Sequence, residues 1–331
     1  MAQTPVEGLT YYLPQTALRF SIRVEKATYT PGKLALYAGK YLKEFNMRLE
    51  GQSTYRIVSI DMQPIGLPDP SKEYTLRLDK KITLTAIDRD ASGILLGLNA
   101  EGHRTQLPKA FKPSPKAPLP DPRKYLNEDI LSATNTAKMA ELAAREIYDI
   151  RDARAQLSRG EAEFMPKDGE QLRLMMDNLD LQEQALLSLF NGTQTKDTAE
   201  TVITYIPQKE KMQDVLFRFS TKLGLVESDD LAGKPYYIAV EKAAEIPANE
   251  LVSTEEKKEK DDFGLYVNIP DRIKITLLQE TEPIKHYETL AGQFGKTELL
   301  SAELFGKKQT SHIILNPISG SIEKIESEIL K

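Results

Sequence analysis

The sequence predicts an α+β protein: two β-rich domains built around a repeated β-α-β-β unit, with an antiparallel helical hairpin between them. Three observations carry this reading. "GLTYYLP" at Gly8–Pro14 returns as "GLYVNIP" at Gly264–Pro270, with glycine, leucine, a branched aliphatic and proline at the same internal spacing. Each copy leads into apolar–polar alternation, the period of a strand with one buried face. Between the copies lies a block with apolar residues at helical spacing.

The elements follow in order. Leu18, Phe20, Ile22 and Val24 alternate with Arg19, Ser21, Arg23 and Glu25, which reads as a strand. Thr30 then suits an N-cap and Pro31 a first helical position. Leu34, Tyr37, Ala38 and Tyr41 fall at i, i+3, i+4 and i+7, one apolar helical stripe. "YRIVSIDM" and "EYTLRL" read as two strands joined by the turn-rich "QPIGLPDPSK". "ITLTAIDRDASGILLGLN" reads as a hairpin turning at Asp88–Gly93. Six prolines between Pro108 and Pro122 exclude a helix or a central strand and mark an extended linker. Met139, Ala143, Ile147, Ile150 and Leu157 form one helical stripe. Leu172, Met175, Met176, Leu179, Leu186 and Phe190 form another, stopped by Asn191-Gly192. The short loop "SRGEAEFMPKDG" makes these an antiparallel pair, which either docks internally or binds a partner helix. "ETVITYI", "DVLFRFS" and "PYYIAVEK" resume as strands, and "EEKKEKDD" at Glu255–Asp262 reads as a solvated loop.

The second copy repeats the order. Ile273, Ile275 and Leu277 alternate as a strand, and Tyr287, Leu290, Ala291 and Phe294 fall at helical spacing. "SHIILN" and "SIEKI" then make a hairpin around "PISG". Residues 8–80 and 264–328 are therefore expected to superpose. The expected domains are an N-terminal β-rich domain over 1–107, a proline-rich linker over 108–128, the helical hairpin over 129–192 and a C-terminal β-rich domain over 193–331.

Composition narrows the function classes. At 331 residues and 40% hydrophobic content, the chain can build two domains with their own cores. A net charge of -5 argues against nucleic acid, which calls for a basic face. No segment approaches the ~18 consecutive apolar residues of a transmembrane helix. The absence of cysteine excludes disulfides, zinc–thiolate sites, iron–sulfur clusters and thiol nucleophiles. "MAQTPVEG" has neither the basic nor the apolar region of a signal peptide.

Candidate sites are few. Asp88, Asp90 and Ser92, with Gly93 following, place oxygens at positions 1, 3 and 5 and glycine at 6, as in the first half of a calcium loop. Position 12, where such loops supply a bidentate glutamate, is Asn99, and an Asp/Ser/Gly hairpin turn is the competing reading. His103, His286 and His312 share no metal-ligand spacing, although His286 and His312 with Glu288 lie in one terminal segment. Asp229-Asp230 offers adjacent carboxylates for glycosidic chemistry, or an N-cap and one helical turn. No GxSxG elbow, phosphate-binding loop or dinucleotide fingerprint occurs. Tyr11-Tyr12 and Tyr236-Tyr237 sit on expected strands, so one of each pair should face outward, where it would stack on a glycan or anchor a partner. The competing reading is a tyrosine-rich sheet face covered by a helix. No cofactor is expected.

Together, "YYLPQTALRF", "TYTPGKLALYAGKYL", "LFRFSTKLGLVESDDLAGKPYYI", "GLYVNIP" and "IILNPISGSIEKI" resemble a family of Bacteroidales proteins, domain of unknown function 4831. The resemblance spans nearly the whole chain. Members of that family usually begin with an export signal, so it implies a protein exported to the periplasm or the outer membrane. It also makes Met1 look like a methionine set before a trimmed mature start. It carries over no catalytic residues. The expectation is a non-enzymatic cell-envelope protein with a binding, scaffolding or assembly role, whose partner is an envelope protein or a glycan. A hydrolase of glycan or cell-wall material, using distant carboxylates such as Asp229 and Glu288, is the alternative. A calcium-dependent adhesion module is the third reading. The sequence leaves the oligomeric state open.

Overall fold

A computed structural model describes residues 8–77, 84–115, 118–243, 265–306 and 309–329. The strands are β1 (Gly8–Thr30), β2 (Gln52–Arg77), β3 (Ile87–Arg89), β4 (Leu95–Leu98), β5 (Thr193–Tyr205), β6 (Lys211–Ser220), β7 (Gly224–Val226), β8 (Lys234–Lys242), β9 (Tyr266–Gln279), β10 (Glu282–Leu299), β11 (Gln309–Leu315) and β12 (Ile322–Ile329). The α-helices are α1 (Ala38–Tyr41), α2 (Glu128–Leu131), α3 (Thr136–Arg159) and α4 (Gly169–Asn191). Three sheets have the orders β2-β1-β5, β10-β9-β8-β6-β7 and β12-β11-β4-β3. The protein is thus α+β and β-rich. Gly264 of the second heading and the acidic–basic run at Glu255–Asp262 lie outside the described residues.

The chain divides into two compact units, each assembled from separated segments. The first takes residues 1–24, 57–111 and 200–331, and the second takes 25–56 and 112–199. This differs from consecutive domains with boundaries at 107, 128 and 192. The reason is the length of the strands: dividing positions fall inside β1, β2 and β5, each of which contributes residues to both units.

In the first unit the alternation reads true. Leu18, Phe20 and Ile22 on β1, and Ile273, Ile275 and Leu277 on β9, are all fully buried. One apolar cluster gathers Tyr11, Leu13, Leu76, Leu95, Leu98 and Ile313, drawn from β1, β2, β4 and β11. The expected hairpins at Asp88–Gly93 and around "PISG" form, as β3 pairs β4 and β11 pairs β12 antiparallel.

Two expectations fail here. "QPIGLPDPSK" is not a turn; it lies inside the single 26-residue strand β2. Proline lacks the N–H that a ladder needs, so it is confined to edge strands, and β2 is the edge of its sheet. The second helix is also absent: Tyr287, Leu290, Ala291 and Phe294 lie on β10, paired with β9. The period of two runs through Tyr287 and Ala291 on the inner face and leaves Leu290 exposed. A register shift between Ala291 and Lys296 then changes the parity and turns Phe294 inward. Strand alternation interrupted by a bulge thus imitates a helical stripe. The β-α-β-β repeat fails with it: strand, short helix and strand at the first copy become an antiparallel strand pair at the second.

The second unit is helical at its centre. The stripe at Leu34–Tyr41 forms a short 3-10 turn over Ala35–Tyr37 followed by α1, while Thr30 stays in β1 and Leu34 takes the cap position. Asn135 caps α3 by accepting from the Lys138 N–H, and Asp168 caps α4 by accepting from the Gln171 N–H. Gly160 and Gly192, both at positive φ, end the two helices. Ala143, Ile147, Ile150, Leu186 and Phe190 are buried in one cluster. Arg151 bonds Glu183 at 2.5 Å, and Arg154 bonds Asp180 and Glu183 at 2.5 and 2.8 Å. These pairings ascend α3 while descending α4, so the helices run antiparallel. Beyond them the shared core thins. Leu157 is buried, but Phe164 and Leu174 are 81% and 59% exposed, and Met165 and Met175 are exposed as well.

Candidate functional site

The most constrained polar arrangement lies in the first unit, where five segments meet: β1 at Pro14–Thr16, β2 at Asp69–Lys72, β9 at Asn268, β10 at Gly292–Gln293 and the turn at Asn316–Gly320. Along β2, residues 72, 74 and 76 share a face because successive strand side chains alternate. Along β9, Tyr266 and Asn268 do the same. The Tyr74 and Tyr266 rings stack with centroids 4.3 Å apart, and one step further along both strands Lys72 reaches Asn268.

Asn268 is 1% exposed and its side chain is fully engaged. Its Nδ2 donates to the Pro14 carbonyl at 3.0 Å and to the Ser319 carbonyl at 2.9 Å. Its Oδ1 accepts from Lys72 Nζ at 2.9 Å and from Thr297 Oγ1 at 3.5 Å. Two backbone carbonyls can only be faced by the amide NH2, so the network itself fixes which end is oxygen. Two glycines admit this side chain. A Cβ at Gly292 would sit 2.4 Å from Asn268 Nδ2 and 2.6 Å from the Ser319 carbonyl oxygen. A Cβ at Gly320, whose φ is +75°, would sit 2.8 Å from the same nitrogen.

Lys72 is half-buried, and its ammonium also donates to the Gly292 carbonyl at 3.3 Å. Burial pushes this amine below its ordinary value, and the charge of the buried Asp69 opposes that only partly. Asp69 Oδ1 accepts from the Ser71 N–H and hydroxyl. Thr16, fully buried, donates from Oγ1 to the Leu290 and Ile318 carbonyls, and its N–H and C=O are matched by the Gln293 amide. The junction therefore sets an amine against a desolvated amide inside a cage of backbone carbonyls.

The sequence-predicted residues lie elsewhere or serve other ends. Tyr11 is fully buried, and its hydroxyl both donates to the Tyr266 carbonyl and accepts from the Tyr266 N–H. Tyr12 is half-buried beside Gly93, whose carbonyl accepts from its N–H. Tyr236 is buried and stacks on Phe217 with centroids 4.6 Å apart, and burial raises its hydroxyl pKa. Tyr237 is half-buried. The structure brings Tyr11 close to Asn268, through Tyr74 and Tyr266, and leaves Tyr236 and Tyr237 on β8.

At the turn, Asp88 accepts from the Gly102 N–H and from Arg104. Asp90 Oδ1 accepts from Ser92 N–H, Ser92 Oγ and Ile94 N–H. Both carboxylates thus have protein donors, the pattern of an Asx-type turn. Asp229 and Asp230 lie in a turn, where Asp230 accepts from the Ala232 N–H. His286 contacts Thr276 on β9, whereas His312 lies on β11 in another sheet between Asn99 and Glu328. Among the described residues no group of three His, Asp or Glu is placed to hold a metal ion. In the second unit an open cleft of about 280 Å³ lies over Leu126, Asn127, Glu146 and Leu186, with Asn127 donating to Glu146.

Asn268, Lys72, Thr16 and Gln293 escape a reading by period or motif. One signal was present: Asn268 interrupts the apolar "LYVNIP", a polar residue where a buried strand calls for an apolar one.

These features define a β-rich α+β protein whose distinguishing site is a buried amide–amine junction. The chain belongs to the family described as Domain of unknown function (DUF4831), whose sequence model matches residues 7–323. No curated protein and no solved structure matches it.

Proposed function

We propose that the protein is a non-enzymatic component of the cell envelope, exported to the periplasm or outer membrane, with a binding or assembly role. The observation that carries this reading is the outer end of the α3–α4 pair. Phe164 and Met165, between α3 and α4, and Leu174 and Met175, early in α4, are each exposed in one short stretch of the chain. Large apolar side chains left exposed close together in a chain are candidates for a contact site. Aromatic and methionine side chains are also the types enriched where proteins meet. The envelope location rests on the export signals usual among family members.

A photo-crosslinking residue at position 164 or 174 of the full chain tests this in envelope extract. The expected result is one discrete protein adduct, absent when the label stands at Met212, which is 85% exposed in the other unit. Equal labelling at all three positions, or none at any, would remove the reading.

A further inference from the structure

We propose that Lys72 and Asn268 join covalently, Lys72 Nζ to Asn268 Cγ, as an intramolecular isopeptide bond formed with loss of ammonia. The reacting groups are already paired, with Nζ 2.9 Å from Oδ1 of the amide it would attack. The pairing is directed at both ends. Lys72 is anchored a second time by the Gly292 carbonyl, and Asn268 is held by Pro14 and Ser319. Glycine at positions 292 and 320 leaves room for the amide that a Cβ would displace. Holding two reactants in contact replaces a bimolecular encounter with a unimolecular step, which is the main requirement for a spontaneous reaction between unactivated groups.

The atoms balance without a co-reactant. The neutral amine's lone pair attacks Cγ, and the Cγ–Oδ1 bond opens to an oxyanion facing the Thr297 hydroxyl. The carbonyl re-forms as the Cγ–Nδ2 bond breaks. One proton passes from Nζ to Nδ2, and the nitrogen departs as ammonia past the carbonyls that accepted its N–H groups. Burial favours the neutral amine that the attack needs. The product would tie β2 to β9 across 196 residues of sequence in a chain that has no cysteine for a disulfide.

Intact-mass spectrometry of the denatured full chain decides the matter. The expected mass is lower than that of the sequence by one ammonia, and a protease digest should contain one branched peptide carrying both Lys72 and Asn268. Lys72→Arg and Asn268→Ala should each restore the full mass for their sequences. A wild-type chain, natively folded and aged, that keeps its full mass and yields Lys72 and Asn268 in separate unmodified peptides overturns the proposal. That measurement needs no variant to fold.

Discussion

The junction around Asn268 and the helical core around Phe190 are both buried, and they are held by opposite means. At the junction, where five segments meet, side-chain amides and hydroxyls meet backbone carbonyls of β1, β10 and the turn after β11, and nearly every polar atom named there has a partner. In the helical core, Ala143, Ile147, Ile150, Leu186 and Phe190 pack by shape alone, and charge returns only at the margin through Arg151, Arg154 and Glu183. A satisfied polar network contributes little net energy per bond, but it penalises every wrong partner. An apolar core contributes through area and tolerates exchange of similar shapes. The first region should thus specify which strands meet, and the second should supply bulk stability.

The largest expected effect breaks the apolar side. Phe190→Ala leaves a cavity among residues that cannot fully collapse and should cost about 4 kcal/mol in chemical denaturation. A loss below about 1 kcal/mol would mean that this core is looser than its burial implies.

A smaller effect tests the polar side. Thr16→Val keeps the side-chain shape but removes the hydroxyl donor shared by the Leu290 and Ile318 carbonyls. Leaving a buried acceptor unmet should cost about 2 kcal/mol by the same measurement. If the variant is as stable as the wild type, the junction's bonds do not specify the packing and the contrast between the two regions collapses.

The contrast also explains what the sequence could show. The helical core was legible because its forces are local and periodic: Ala143, Ile147 and Ile150 are neighbours on one helix face whatever the rest of the chain does. Leu18, Phe20 and Ile22 were legible for the same reason at period two. Phe294 misled because a bulge shifts parity, and a shifted strand places apolar residues three and four apart like a helix. Pro64, Pro68 and Pro70 misled because they speak against a central strand, and nothing local reveals that β2 lies at an edge. The junction was least visible. Lys72 and Asn268 meet only through the fold, and a bond between residues so far apart leaves no period to read. For Tyr11-Tyr12 strand alternation tells only that one ring faces outward; it does not tell that the Tyr11 hydroxyl bonds the Tyr266 backbone.

The smallest effect concerns a polar contact outside both regions. His312 places Nδ1 2.6 Å from the Asn99 carbonyl oxygen and Nε2 3.2 Å from Glu328 Oε2. Both neighbours accept hydrogen bonds, and only the doubly protonated imidazolium donates from both nitrogens. The Asn99 contact, and after it the Glu328 carboxylate, therefore raise the His312 pKa above its ordinary value. A raised folded-state value means that the stability this group adds is complete below the unfolded imidazole's pKa and is lost as pH rises through the folded one. The side chain is 36% exposed, so solvent screens most of the effect, and the direct readout is the titration itself. NMR of the ring protons should place the His312 midpoint above that of a free imidazole. Glu328→Gln should move it part of the way down, because the Asn99 carbonyl remains. A midpoint at or below the ordinary value would mean that one of these contacts does not persist in solution. An unchanged midpoint in Glu328→Gln would assign the whole shift to Asn99, which holds the turn after β4 with its own side chain bonded to Thr85, Ala86 and Thr310.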